Sequence, residues 1–178
     1  MIITNNEDAL RVKCEDVFPN EVGPIIEQLE KELDNSNRLG RPGIGLAAPQ
    51  IGIAKKIAIV RMGKPEYNFD LVNCSITKGW DLKTFQDEGC LSFPGRVETT
   101  NRYQEVLIEN NLVAPYRMTL TGLFAIVSQH EIDHFNQKLF IDHIVKNKKI
   151  RPNDICPCGT INQLTNNRLK YKKCCGKK

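Results

Sequence analysis

Residues 130–134 read His-Glu-Ile-Asp-His, and this pentapeptide limits what the chain can fold into more than any other stretch. On a helix, residues four apart lie one above the other, so His130 and His134 point from one face. Both imidazoles then reach one ion, with Glu131 beside them as a possible base. The flanking sequence agrees: Leu123, Ile126 and Val127 fall at helical spacing within 122–136, and Thr121 stands where an N-cap belongs. The chain has 3 histidines, and two of them placed this way around a glutamate point to a metal.

A second helix is predicted over residues 21–38, where Val22, Ile25, Ile26, Leu29 and Leu33 form one apolar stripe. Asn35, Asn37 and Gly40 stop it, and Pro42-Gly43 opens an extended or irregular segment. Runs rich in branched or aromatic residues at 56–60, 69–76, 81–85, 104–109 and 116–120, separated by turn formers, read as antiparallel strands. The prediction is an α+β fold: antiparallel sheets packed around a central helix carrying residues 130–134, with an N-terminal helix and a small Cys-rich C-terminal module. At 178 residues and 40% hydrophobic content, one core closes without disulfides.

Charge divides the chain after Val145. Residues 146–178 hold 10 Lys and Arg against the single acid Asp154, a net of +9, while residues 1–145 hold 15 basic and 20 acidic residues, a net of −5. The expected organisation is a metal-bearing domain over 1–145 and a basic tail over 146–178. Such a tail suits a polyanion, RNA or a ribosomal surface, or simply keeps the end in solution. Cys156, Cys158, Cys174 and Cys175 crowd into the last 23 residues at a spacing that suits metal better than a disulfide framework. There is no basic start followed by an apolar run, and no stretch of about 18 apolar residues, so the expectation is a cytoplasmic protein with no membrane partner.

A catalytic metal needs a third protein ligand and an open position for water. Cys90, in Asp87-Glu88-Gly89-Cys90-Leu91-Ser92, is the leading candidate, with Gly89 letting the backbone approach closely; taken alone, Cys90 would read as a buried structural thiol. Residues 43–48 match the loose dinucleotide fingerprint G-x-G-x-x-A, but a helix and Pro42 precede them where a strand belongs, and Pro49 would interrupt the helix to come. The better reading of Gly43-Ile44-Gly45-Leu46-Ala47-Ala48-Pro49-Gln50 is backbone laid against a ligand, with the Gln50 amide available to a developing oxyanion.

These three stretches, 43–50, 88–92 and 130–134, resemble in order and spacing the signature motifs of the peptide deformylases, and the resemblance covers residues 1–145. It implies hydrolysis of the N-formyl group from the formylmethionine of nascent polypeptides, in the cytoplasm. It implies Cys90, His130 and His134 as ligands of one divalent ion, ferrous iron natively and replaceable by nickel, cobalt or zinc. Glu131 is then the base, with Gln50, Leu91 and Gly45 completing the catalytic set. Gly43, Ile44 and Gly45 would bind substrate together with Glu88, Leu123, Ile126 and Val127, and Glu88 would also pair with Arg102. Gln86 and residues 96–101 depart from the family pattern, which bears on substrate preference rather than on the reaction.

The four tail cysteines resemble the short zinc motif called SEC-C, from the translocation ATPase SecA, although residues 160–167 form a longer polar linker than that motif uses. The resemblance implies a structural zinc on Cys156, Cys158, Cys174 and Cys175, and the deformylase family implies contact of such a tail with the ribosome. Two other readings stay open. One is a different metalloamidase or metallopeptidase, from which Cys90 discriminates. The other is a nucleic-acid-binding zinc protein on an inert scaffold, which would need neither Gln50 nor Glu131.

Overall fold

The computed structural model describes residues 1–110, 116–145, 152–153 and 169–175. The chain divides into two units, Met1–Val145 and Lys146–Lys178. The first begins with a one-turn helix, α1 (Glu7–Leu10), which the sequence did not announce; the Asn6 side chain caps it by accepting the Ala9 N–H at 3.1 Å. Helix α2 (Pro19–Arg38) starts two residues earlier than expected, because Pro19 needs no N–H partner at the first helical position and Glu21 reaches back to accept the Phe18 N–H at 2.9 Å. Its stripe is the expected one: Ile25, Leu29 and Leu33 are buried, Val22 and Ile26 half-buried, against Leu46, Ala48, Ile57 and Ile59.

Three antiparallel strands in spatial order, β1 (Gly45–Ala47), β2 (Ile57–Val60) and β3 (Phe69–Val72), make the first sheet. Every residue of β2 is buried: Ile57 and Ile59 face α2, while Ala58 and Val60 join the core on the other side. That is why this strand reads as a continuous apolar run rather than an alternation. The second sheet is β4 (Ser75–Gly89), β5 (Val97–Asn110) and β6 (Tyr116–Thr121), again antiparallel in that order.

Two strand predictions required correction. The run 69–76 is broken at Asn73, which sits at φ 53° while its side chain takes the Val17 N–H at 2.7 Å and gives to the Val17 carbonyl at 2.9 Å, so the chain leaves one sheet and enters the other. The run 81–85 is the middle of the 15-residue β4. Asp81 and Asp87, both at φ 56°, and register shifts between Ile76 and Lys78 and between Phe85 and Glu88 bend β4 without ending it.

Helix α3 (Gly122–Phe135) lies between these sheets. Its Ala125, Val127, Ile132 and Phe135 share one core with Ala47, Ala58 and Val60 from the first sheet and Val106 and Ile108 from the second. A helix covered on most sides buries its polar residues too, among them Gln129, Glu131 and His134. Gln129 is satisfied by the backbone of Tyr103, accepting its N–H at 2.9 Å and donating to its carbonyl at 2.8 Å, which stitches α3 to β5. Thr121 occupies the N-cap position but makes no side-chain capping bond. Beyond α3, a 3₁₀ turn (Phe140–His143) leads to a bridge between Ile144 and Thr100, with the Val145 N–H on the Thr99 carbonyl at 2.9 Å.

In the second unit a 3₁₀ turn (Tyr171–Lys173) is described, with the Lys172 N–H on the Pro152 carbonyl at 2.9 Å. The Cys174 and Cys175 sulfurs are 3.9 Å apart, and the expected partners Cys156 and Cys158 lie outside the described residues. None of the described helices is long and apolar enough to cross a membrane.

Candidate active site

Cys90 follows the last residue of β4, and His130 and His134 stand one turn apart on α3 with their rings 5.3 Å apart. One ligand atom from each of the three lies within 4.8 Å of the others, and Cys90 Sγ is 3.6 Å from His134 Nε2. Metal–sulfur and metal–nitrogen bonds of about 2.3 and 2.05 Å at a tetrahedral angle place those two atoms roughly 3.5 Å apart. One thiolate and two imidazoles therefore stand where a divalent ion would hold them. Gly89 is not what brings Cys90 in, since a Cβ there would meet nothing closer than 3.5 Å.

The electrostatics favour a cation. Burial opposes ionisation of Cys90, but His130 and His134 outweigh it and draw the thiol down to about 5. Burial likewise works against a charged His130, yet Cys90, Glu88 and Glu131 overcome it and raise the imidazole well above its ordinary value. Three acidic groups that stabilise a proton on an imidazole also attract a divalent ion.

His130 is oriented from behind. Its Nδ1 is 2.7 Å from Glu88 Oε1, which assigns the proton to Nδ1 and leaves Nε2 for the metal. Glu88 is 4% exposed, and both its oxygens are engaged: Oε1 by Arg102 Nη2 at 2.6 Å, Oε2 by Arg102 Nε at 2.9 Å and by the Thr100 hydroxyl. Burial would raise this carboxyl, but His130 and Arg102 hold it far below the usual range. Glu88, expected among the substrate-binding residues, lines the cleft with both oxygens engaged by His130, Arg102 and Thr100. Arg102 continues to Asp133 Oδ2 at 2.6 Å, and His143 Nε2 approaches the same oxygen at 2.9 Å.

Gln50 sits on the other side of the sulfur. Its Oε1 accepts the Ala47 N–H at 2.8 Å, which fixes the amide's orientation. Its Nε2 then donates to Cys90 Sγ at 3.3 Å and Ser92 Oγ at 3.1 Å. The Gln50 donor is spent on the thiolate here, so in this state it is a support of the ligand. Glu131 is 3% exposed, its Oε2 has no hydrogen-bond partner among the described residues, and burial pushes its carboxyl up to about 7. The Gly45 backbone lies against that carboxylate, and a Cβ there would sit 2.9 Å from Glu131 Cδ. A Cβ on Gly43 would fall 2.6 Å from Leu91 Cδ1, the end of a half-buried side chain that can turn aside, so it is Gly45 whose lack of a side chain matters to the carboxylate.

These groups form the floor of a cleft of about 590 Å³. Ile44 and Leu123 stand exposed at its rim, while Ile126 and Val127 are buried in its wall, Val127 being shared with the core. Thr100, Asp133, His143 and Ser92 were given no role from sequence. Thr100 and Arg102 alternate on one face of β5, and Asp133 lies three residues from His130 on α3, but polar residues reveal no burial by spacing alone.

Residues 1–150 match the family model described as Polypeptide deformylase. The peptide deformylase of Halothermothrix orenii is 36% identical over 139 residues, covering 73% of this chain and 88% of that protein. Among solved structures, a peptide deformylase from Plasmodium falciparum superposes with a TM-score of 0.72 at 30% identity, over 85% of this chain and 91% of its own. A Met-Ala-Ser-bound peptide deformylase from Acinetobacter baumannii gives a TM-score of 0.67 at 28% identity, over 81% and 97%.

Proposed function

The chain belongs to the polypeptide deformylase family, and from that membership we propose how its residues hydrolyse the N-formyl group of nascent formylmethionyl polypeptides to formate and a free amine. The observation that carries the account is the convergence of Cys90, His130 and His134 next to Glu131, whose buried Oε2 has no hydrogen-bond partner among the described residues, with Cys90, His130 and Glu131 lining the cleft. Cys90, His130 and His134 would hold a divalent ion, which when bound would supply Lewis acidity and lower the pKa of a water towards about 7. Glu131 accepts the water proton as the new C–O bond forms, then delivers a proton to the amine nitrogen as the C–N bond breaks. The Leu91 N–H, which no described backbone carbonyl accepts, and the Gln50 amide, swung from the sulfur, steady the oxyanion. The methionine side chain enters between Ile44, Leu123, Ile126 and Val127, and the following backbone lies along residues 43–45.

In this reading Gly45 acts by lacking a side chain. Gly45→Ala is expected to displace the Glu131 carboxylate and lower kcat on the order of 10²-fold, as a misplacement near 1 Å does. Gly23→Ala, where a Cβ meets nothing within 4 Å, should leave it unchanged. Equal activity of the two variants would show that Glu131 is not held against Gly45 during turnover.

Thiolate and imidazole ligands accept ferrous iron or zinc, with iron the native choice here and nickel or cobalt able to replace it. In the tail, zinc on Cys156, Cys158, Cys174 and Cys175 would staple a short basic segment for contact with the ribosome; the support is the cysteine spacing and the net charge of residues 146–178. The test of function is formate release from formyl-Met-Ala-Ser by anaerobic, iron-loaded protein, with metal analysis of the same sample. Turnover is expected; folded, metal-loaded protein that yields no formate would overturn the assignment. A second ion per chain, lost on exchanging the tail cysteines, is the expectation for the tail.

A further inference from the structure

We propose that His143 is a positioning residue for the metal ligand His130, acting through the chain of contacts His143–Asp133–Arg102–Glu88–His130. The inference rests on reading Cys90, His130 and His134 as a metal centre. Each link has little freedom to find another partner. Arg102 is 1% exposed, so its guanidinium cannot turn to water, and its fork is divided between Glu88 and Asp133. Glu88 has no spare oxygen. The outer links are looser: the Asp133 and His143 side chains are 13% and 29% exposed. Asp133 Oδ2 accepts a hydrogen bond from Arg102 Nη1 at 2.6 Å and has His143 Nε2 at 2.9 Å as a polar contact outside hydrogen-bonding geometry, so this is where the chain can slip. Without the polar contact at 143, Asp133 can swing outward and relax Arg102, and Glu88 then holds His130 less firmly.

The place of His143 is set by contacts other than its own with Asp133, and Phe140 of the same turn also packs on the His130 ring, with centroids 6.0 Å apart. His143 ends the 3₁₀ turn in which Asp142 accepts the Leu139 N–H at 2.9 Å and takes the Arg11 guanidinium bidentately at 2.7 and 2.8 Å. The next residue, Ile144, bridges to Thr100, whose hydroxyl bonds Glu88. Leu139 and Phe140 supply the apolar anchorage of the turn, packing with Leu10 and Phe93. The fold of this segment therefore does not depend on the polar atom of His143, and the imidazole is free to serve Asp133.

Removing a group bonded directly to a metal-ligating histidine costs about 10- to 100-fold in metal affinity, and a residue further out should cost less. The test compares His143→Phe, which keeps volume without a polar atom, with His143→Gln, which keeps a polar end to meet Asp133. Both full-length proteins are loaded with cobalt and challenged with excess chelator. Loss of the thiolate-to-cobalt absorption is followed after subtracting the Cys90→Ser spectrum, so that only this centre is seen. The expected result is ion loss about fivefold faster from His143→Phe than from His143→Gln, with the latter close to the parent. Equal rates in the two variants, whether both slow or both fast, would overturn the proposal. A parent spectrum identical to that of Cys90→Ser would instead overturn the metal-centre reading itself.

Discussion

Glu131→Gln should release formate about 10³-fold more slowly than the parent enzyme while keeping its metal, within the range that general acid–base groups contribute. The substitution keeps the side chain's size and leaves the three candidate ligands untouched, so a loss of turnover reports the missing base. What makes Glu131 suited to the task is its setting: the carboxylate is buried, and Oε2 has no partner among the described residues. Burial first, with Cys90 and Glu88 adding to it against the opposing pull of His130 and His134, raises the carboxyl from 4.5 to about 7. The base must be ionised to act, so kcat/KM should fall as pH falls, with the acid limb at or below about 7 because a bound cation draws the carboxyl down.

The same shift makes a stability prediction of known sign for the metal-free protein. A carboxyl raised on folding binds its proton more tightly in the folded state, so folding loses stability as pH rises from 4.5 through about 7. Metal-free Glu131→Gln should therefore melt at a higher temperature than the metal-free parent at pH 8, with the gap closing in acid. If turnover of the variant stayed within tenfold of the parent, the base would have to be another group.

What the sequence discloses and what it conceals follow from the range of the forces involved. Helix α3 and its histidine pair are local, set by a spacing of four residues, and so is the stripe of α2. Strand β4 was split in the reading, its start falling in the run 69–76 and its middle in the run 81–85; in the structure Asp81 adopts a left-handed conformation inside a ladder that β5 keeps paired on both sides. The Glu88–Arg102 pair was expected only through the family resemblance, and the burial of Glu88 beside His130 was not foreseen. Its burial is a property of three elements meeting, β4, β5 and α3, and spacing along one of them does not report it. The Gln50 amide was read as a donor to a developing oxyanion, and its resting contacts, the Ala47 N–H on Oε1 and the Cys90 sulfur beside Nε2, are set by the fold rather than by spacing.

Arg102→Met is expected to destabilise the fold by about 3–5 kcal/mol, the cost of leaving a buried charge without its partner. The methionine fills most of the space, but it abandons Glu88 and Asp133 together, two carboxylates that a single guanidinium satisfies through Nε, Nη2 and Nη1. Arg102→Lys should recover only part of the loss, because one ammonium cannot span the fork at Glu88 and also reach Asp133. Both carboxyls are held below their ordinary values against the opposing effect of burial, Glu88 by His130 and Arg102, Asp133 by His143 and Arg102. Groups depressed in this way stabilise the fold above their unfolded pKa and lose that contribution as pH falls through the folded one. Without Arg102 the two carboxyls take up protons at higher pH, so the gap between parent and variant should be widest near neutrality and narrow towards pH 4. Glu88→Gln added to Arg102→Met should restore part of the stability near neutrality by removing one unpaired anion. Urea midpoints of the three variants at several pH values would measure this, and a loss under about 1 kcal/mol in Arg102→Met would mean that water or a rearranged side chain replaces the guanidinium.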